Sequence, residues 1–371
     1  MNYRRDTLTG WRTDESRAHI WSTATFPATP VTIRLLIEGH APREVALQLA
    51  PGNRTPMTNS RPQIKRVLGK TPPSNGLAVI STARNERYFW PHFVSHYRSY
   101  GATHFIVLDD SSDDGSLDWL SSQPNVSVYK SSLGFAETVG KLRFGIAARG
   151  LLARYFCADR WALVADLDEF WVPPPEYQTF TQLSAALEAN NHVLCRGLML
   201  DCFPKRLADL AAASTEDPPS SVAPFSDDLS PVSWPADNAS AMLQSRRNVR
   251  NRITRILLER GLLSLDHVRE RGDPTLYKAP LAKWVNGVSM LSAHRLHAPY
   301  NAQHQMICGH YKFYPGWEAK VQTALQTQSY YNASIEYKTL ALAELHLQNT
   351  SLEGVCTAPF DVLTTQRSLL F

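Results

Sequence analysis

From Leu77 onward the chain alternates short apolar runs with amphipathic stretches, and this rhythm restricts the fold more than any other feature. Leu77 to Ser81 (LAVIS) reads as a strand, and Glu86 to Tyr100 as a helix stopped by Gly101, a C-terminal cap. His104 to Leu108 (HFIVL) follows as a strand, Ser116 to Ser122 as a short helix and Val126 to Lys130 as a third strand. The pattern then predicts a long helix over Ala136 to Phe156, a strand over Trp161 to Ala165 (WALVA), a helix over Thr179 to Ala189 and a strand over His192 to Leu200. Strands that alternate with helices build right-handed βαβ units. The expected class is therefore α/β, with a mostly parallel, Rossmann-like sheet and helices on both faces.

Residues 1–76 have a different texture, rich in Thr, Pro and Arg. Val31 to Glu38 and Glu44 to Leu49 are β-like runs around Gly39-His40-Ala41-Pro42, which suggests a hairpin-bearing extension. Arg54 to Asn75 contains Pro56, Pro62, Pro72 and Pro73 and reads as a linker. The expected division is an extension over 1–76, a main domain over 77–345 and a tail over 346–371. Ala211 to Ser240, rich in Pro, Ser and Asp, reads as a long loop of the kind that could gate an acceptor. Lys278 to Tyr314 mixes short strands with aromatics and histidines, and Trp317 to Leu347 is helical in pattern.

With 371 residues, 43% hydrophobic and 19% charged, the chain can bury a sizeable core and is neither mainly disordered nor collagen-like. A net charge of +4 is too small to argue for a nucleic-acid partner, although it suits a phosphate-bearing substrate or an anionic membrane surface. Cys157, Cys195, Cys202, Cys308 and Cys356 are scattered without a CxxC pair, so reduced thiols are expected rather than disulfides or a zinc knuckle. The first twenty residues carry Arg4, Arg5, Asp6, Arg12, Asp14, Glu15 and Arg17, and no apolar run approaches the ~20 residues that span a bilayer. The expectation is a cytoplasmic protein, with peripheral contact to the inner membrane compatible with its charge.

In open α/β sheets, ligands bind beyond the carboxyl ends of the strands. Three polar clusters fall there: Thr82-Ala83-Arg84-Asn85-Glu86, Asp109-Asp110-Ser111-Ser112-Asp113-Asp114-Gly115, and Asp166-Leu167-Asp168-Glu169-Phe170. If the last segment stays extended, Asp166 and Asp168 share a face while Glu169 points away. Two such carboxylates suit Mg²⁺ or Mn²⁺, whose remaining positions go to substrate phosphates and water. A bare Asp-x-Asp can equally cap a turn, but the apolar approach WALVA and the following Glu169-Phe170 favour the ligand reading. The acidic turn from Asp109 is either a helix cap or a ribose- or base-recognising group. No GxGxxG precedes a helix, which weakens a dinucleotide site. His310 and Lys312 share a face if their segment is extended, bringing an imidazole and a cation to one diphosphate.

The four motifs ARNE (Ala83 to Glu86), VLDDSSDDGS (Val107 to Ser116), DLDEF (Asp166 to Phe170) and CGHYKF (Cys308 to Phe313) together resemble the family-2-like glycosyltransferases of the GT-A fold. The resemblance is to a bacterial subgroup with Arg-Asn-Glu and Asp-x-Asp-Glu-Phe motifs, and covers roughly residues 77 to 345. It implies that Arg84, Asp109 and Asp110 hold the nucleoside, and Glu86 and Lys141 fall in the same nucleotide-sugar set. It also implies that Asp166 and Asp168 hold the metal and diphosphate, and that His310 completes the metal shell with Lys312 on a phosphate; His294 and His297 are rivals for the histidine. The catalytic base has no clear counterpart. Asp201, ending the strand RGLML, is the first candidate, followed by Glu270 and Asp273. The implied reaction passes a sugar from a nucleotide-diphosphate donor to an acceptor hydroxyl on a glycan or lipid-linked molecule, with Mn²⁺ or Mg²⁺ as cofactor, in cell-envelope glycan or glycolipid synthesis. A nucleotidyltransferase acting on a sugar phosphate would share crevice and metal, but STARNE lacks the glycines of its phosphate loop. An inactive nucleotide- or carbohydrate-binding relative would be expected to lose the acidic ligands, and both are present.

Overall fold

The computed structural model describes residues 30–37, 43–48, 63–139, 142–227, 248–271, 277–298, 302–328 and 330–352. The first three strands are β1 (Pro30–Ile37), β2 (Arg43–Gln48) and β3 (Gln63–Leu68), and the Rossmann-like half adds β4 (Leu77–Ala83), β5 (Ala102–Asp109) and β6 (Val126–Ser131). Two-residue strands β7 (Thr138–Val139) and β8 (Leu142–Arg143) precede β9 (Trp161–Val164), β10 (Glu169–Val172), β11 (Leu194–Phe203) and β12 (Phe225–Ser226). The last four are β13 (Tyr277–Lys283), β14 (Ser289–Met290), β15 (Leu296–His297) and β16 (Ala302–Tyr311). Twelve strands form one sheet in the order β10-β16-β11-β13-β9-β4-β5-β6-β3-β1-β2, with β12 against β11.

The α/β class expected from the alternation holds. β9, β4, β5 and β6 pair in parallel, and β11 pairs in parallel with β16. The antiparallel β13 lies between β9 and β11, which restores the same direction to β11 and β16. Six strands thus end on one edge of the sheet. β10 runs antiparallel to β16, so its first residue, Glu169, lies at that edge too.

Side-chain alternation splits the core. Leu77 and Val79 of β4 and Phe105 and Val107 of β5 face one cluster, whereas Ala78, Ile80, Ile106 and Leu108 face the other. The first cluster is covered by helices α1 (Phe89–Ser99), α4 (Phe180–Ala189), α6 (Val249–Glu259), α8 (Trp317–Thr327) and α9 (Tyr331–His346). The second is covered by α3 (Phe144–Phe156) and the β14–β15 hairpin. Between these lie the short helices α2 (Ser116–Ser121), α5 (Pro219–Val222) and α7 (Leu265–Arg271).

Several local readings match closely. Gly101 follows α1 at φ +89°, and its N–H donates to the Arg98 carbonyl at 3.0 Å. Cys157, Cys195, Cys202 and Cys308 are buried, and Cys356 lies outside the described residues. Others need correction. The long helix begins at Phe144, not Ala136, because the β-branched pair Thr138-Val139 enters the β7–β8 ladder instead. The stretch read as a linker contains β3, which is antiparallel to β6 and parallel to β1, so the hairpin β1–β2 extends the main sheet. The long loop is broken by a 3₁₀ turn at Leu207–Ala212, α5 and β12, while residues 228–240 of it lie outside the described residues. No helix among the described residues is long and apolar enough to cross a membrane.

The β11–β16 pairing needs a glycine. Register shifts on both sides of β11 at Gly197, where an added Cβ would lie 2.6 Å from the Met306 carbonyl oxygen and closer still to the Trp171 ring. Gly197→Ala should therefore destabilise the protein by about 1–3 kcal/mol through overpacking, read as a lower urea midpoint with unchanged slope.

Candidate active site

Register assembles the site. Glu169 of β10 lies opposite His310 of β16, and His310 lies beside Asp201 of β11, so three side chains form one row across three strands. All three are buried. His310 Nδ1 is 2.5 Å from Asp201 Oδ1, and Nε2 lies 3.7 Å from Asp168 Oδ2. Burial, and then the neighbouring Lys312, hold the imidazole below its ordinary pKa and favour its neutral form. With Nδ1–H donated to the carboxylate, the Nε2 lone pair turns to Asp168.

Asp166 and Asp168 do not lie on one extended strand. They occupy a turn between β9 and β10, closed by Glu169 N–H donating to the Asp166 carbonyl at 3.0 Å. Asp168 accepts from Lys312 Nζ at 2.7 Å. Burial opposes its ionisation, but the Lys312 ammonium wins and holds it well below the carboxylate range. Asp166 accepts from Lys278 at 2.9 Å and pairs with Arg149, and these two cations likewise outweigh burial. Lys278 also donates at 2.7 Å to both oxygens of Glu169, yet burial still pushes the Glu169 carboxyl up to about 7.

Asp168, Glu169 and His310 each offer a ligand atom within 4.8 Å of one another. This corrects the expectation that Glu169 points away: the turn breaks the simple alternation before β10 begins. Carboxylate oxygens with one imidazole nitrogen, its ring fixed by a second carboxylate, are a donor set that fits a divalent cation. Asp168 and His310 are the best placed, because Glu169 is committed through both oxygens to Lys278. The Lys312 ammonium stands where positive charge is wanted, on a long stem that can turn toward a phosphate.

Asp201 does not suit the role of base. It is 1% exposed, bonds His310, accepts from Arg250 Nε at 2.5 Å and takes a further bond from Asn248, so its oxygens are taken up in orienting neighbours. Burial notwithstanding, Arg250 and His310 hold it far below the carboxylate range. Asn248 also donates to Asp227 at 2.6 Å, and Asp227 accepts from the Asp201 N–H at 3.1 Å and the Val249 N–H at 2.9 Å. Asp227 and Asn248 are thus both tied to Asp201, one through its backbone N–H and the other through its carboxylate.

At the β4 and β5 ends, Arg84 is exposed and lies 3.8 Å from Asp110. Asp109 is buried, accepts from the Ser112 N–H at 3.2 Å and faces Lys130 at 3.5 Å, so it also serves as a turn cap. Glu86 pairs with Lys320 of α8 at 2.5 Å. Of the rival histidines, His297 is exposed on β15, whereas His294 has a buried Nδ1 without a hydrogen-bond partner; burial, then Lys278, lowers its pKa to about 3. Glu270 is exposed on α7, and Lys141 and Asp273 lie outside the described residues.

Sequence reading missed Arg149, Lys278, Arg250, Asn248, Asp227 and Lys320. A signal existed for two of them. Arg149 interrupts the apolar helix FGIAARGLL, and Lys278 opens the apolar strand YKAPLA, where an uncompensated charge would be costly.

Removing Lys278 tests this charge pairing. Lys278→Met leaves Glu169 buried without its ammonium and should cost about 3–5 kcal/mol at pH 8. A carboxyl with a raised folded pKa loses stability as pH climbs from its unfolded value toward the folded one, so the deficit should shrink by pH 5. Denaturation at the two pH values checks the sign. If the cluster takes a divalent cation, Asp201→Asn, which frees the imidazole tautomer, should weaken its Mn²⁺ binding roughly ten- to a hundredfold by calorimetric titration.

No family model and no curated protein matches this chain. Among solved structures, the mannosyltransferase PcManGT from Pyrobaculum calidifontis, in complex with GDP-Man and Mn²⁺, is similar over 38% of this chain and 39% of its own, at 16% identity and a TM-score of 0.23. A likeness of that extent carries no inference about chemistry, which stands on the side chains themselves.

Proposed function

We propose that the chain is a glycosyltransferase that binds a nucleotide-diphosphate sugar at this sheet edge and passes the sugar to an acceptor hydroxyl. The observation that carries the reading is the meeting of Asp168, His310 and Lys312, from two distant segments, within electrostatic reach of Glu86 in the loop after β4. Carboxylates, a neutral imidazole and a lysine at one point suit a divalent cation with a diphosphate.

Asp168 and His310 would hold Mn²⁺ or Mg²⁺, with Asp166 alongside. Bound there, the ion would neutralise the charge that grows on a departing nucleotide diphosphate. Lys312 turns from Asp168 to a phosphate oxygen, keeping its charge because Asp168 outweighs burial and raises its pKa. Arg84 and Asp110 bracket the nucleoside at the mouth of the crevice. In the transfer itself, the acceptor oxygen bonds to the anomeric carbon as the bond to the phosphate oxygen breaks; the nucleotide diphosphate leaves with the electron pair, and the hydroxyl proton passes to the departing diphosphate or to water. The chain's part is to position both reactants and offset charge. A glycan or lipid-linked acceptor of the cell envelope, reached from the cytoplasmic face, fits the family resemblance and the modest positive charge.

A nucleotide diphosphate should raise the melting temperature only when Mn²⁺ or Mg²⁺ is present, and a panel screened with and without chelator, alongside assay of nucleotide released from matching sugar donors, checks this. Equal stabilisation in excess chelator would overturn the metal assignment. Asp168→Asn should keep the fold and lower transfer on the order of a hundredfold or more.

A further inference from the structure

Lys320 lies in the first turn of α8, about 6.0 Å from the centre of the Tyr314 ring, and ends 2.5 Å from Glu86 Oε1. The other oxygen of Glu86 is buried and has no partner. Asp168 and Lys312 are near enough to act electrostatically on Glu86, and Asp168 on Lys320, so this pair belongs to the same crevice. Burial raises the Glu86 pKa even with the lysine beside it. A carboxylate that keeps one oxygen dry and unpaired holds its cation at a cost.

We infer that Lys320 is a second cation for the donor diphosphate, next to Lys312, and that Glu86 holds it in reserve by competing with the phosphate for its ammonium. This rests on the proposed nucleotide-sugar site and extends it to a residue outside every motif of the sequence. A phosphate oxygen offers Lys320 a doubly bridged anion instead of a half-satisfied carboxylate, and Lys320 needs only to rotate about its flexible stem. Glu86, bearing the competing charge, then sets how readily the site accepts an anion. The expected consequence has an unusual sign: neutralising an acidic residue of the binding loop strengthens binding.

The test measures binding rather than turnover. Calorimetric titrations of inorganic pyrophosphate, UDP and GDP in Mn²⁺ compare the unaltered protein with Lys320→Met, which keeps the stem over Tyr314, and with Glu86→Gln. Lys320→Met should weaken pyrophosphate and nucleotide diphosphate binding roughly ten- to a hundredfold, the range for a charge-assisted hydrogen bond. Glu86→Gln should tighten pyrophosphate binding severalfold. A folded Lys320→Met protein with unchanged affinity, or a Glu86→Gln protein that binds more weakly, overturns the inference while leaving the nucleotide site intact. If the unaltered protein binds none of the three ligands, site and inference fall together. Should Lys320→Met fail to fold, the sign of the Glu86→Gln change decides.

Discussion

The parallel pairing of β11 with β16 is the constraint on which the rest depends. It sets Asp201 beside His310, while the antiparallel β10 sets Glu169 on the other side, so a carboxylate, an imidazole and a carboxylate lie in one row. A slip of one residue would turn His310 to the opposite face and strand Asp201 against a neighbour unable to bond it. Gly197 lets the two strands approach with Trp171 packed over them, and so the least reactive residue of the region sets the position of the most reactive ones.

Such a row is costly in a dry environment unless every charge has a partner. Asp166 has Arg149 and Lys278, Asp168 has Lys312, Glu169 shares Lys278 and Glu86 has Lys320. The four carboxylates Asp166, Asp168, Glu169 and Glu86 thus meet the four cations Arg149, Lys278, Lys312 and Lys320. A divalent ion arriving alone would upset this balance in one direction and a diphosphate alone in the other. Arriving together they nearly cancel, which gives a physical basis for the proposal that the two bind as one unit.

How much of this could be read in advance depended on distance along the chain. Strand and helix alternation over 77–200 was legible because the central strands, buried on both faces, read as short apolar runs between helices. That His310 and Lys312 share a face was legible from their separation by two residues, whereas their meeting with Asp168 was implied only by the family resemblance, since nothing local links the two segments. The turn that separates Asp166 from Asp168 was not, since i, i+2 alternation assumes an extended chain. Arg149, Lys278 and Lys320 come from a helix, an inserted antiparallel strand and the first turn of a late helix, and no local pattern ties them to DLDEF. β3 was hidden by the prolines around it, because its partner β6 lies far along the chain.

The knot of Asp201, Asp227 and Asn248 also bears on how such a chain can vary. The Asn248 amide, at the start of α6, donates to both carboxylates at once and so joins the end of β12 to the end of β11. A small neutral side chain therefore satisfies two buried acids, and one of them orients His310. A substitution at Asn248 would be felt at the imidazole through Asp201, although Asn248 itself bonds neither the histidine nor Asp168.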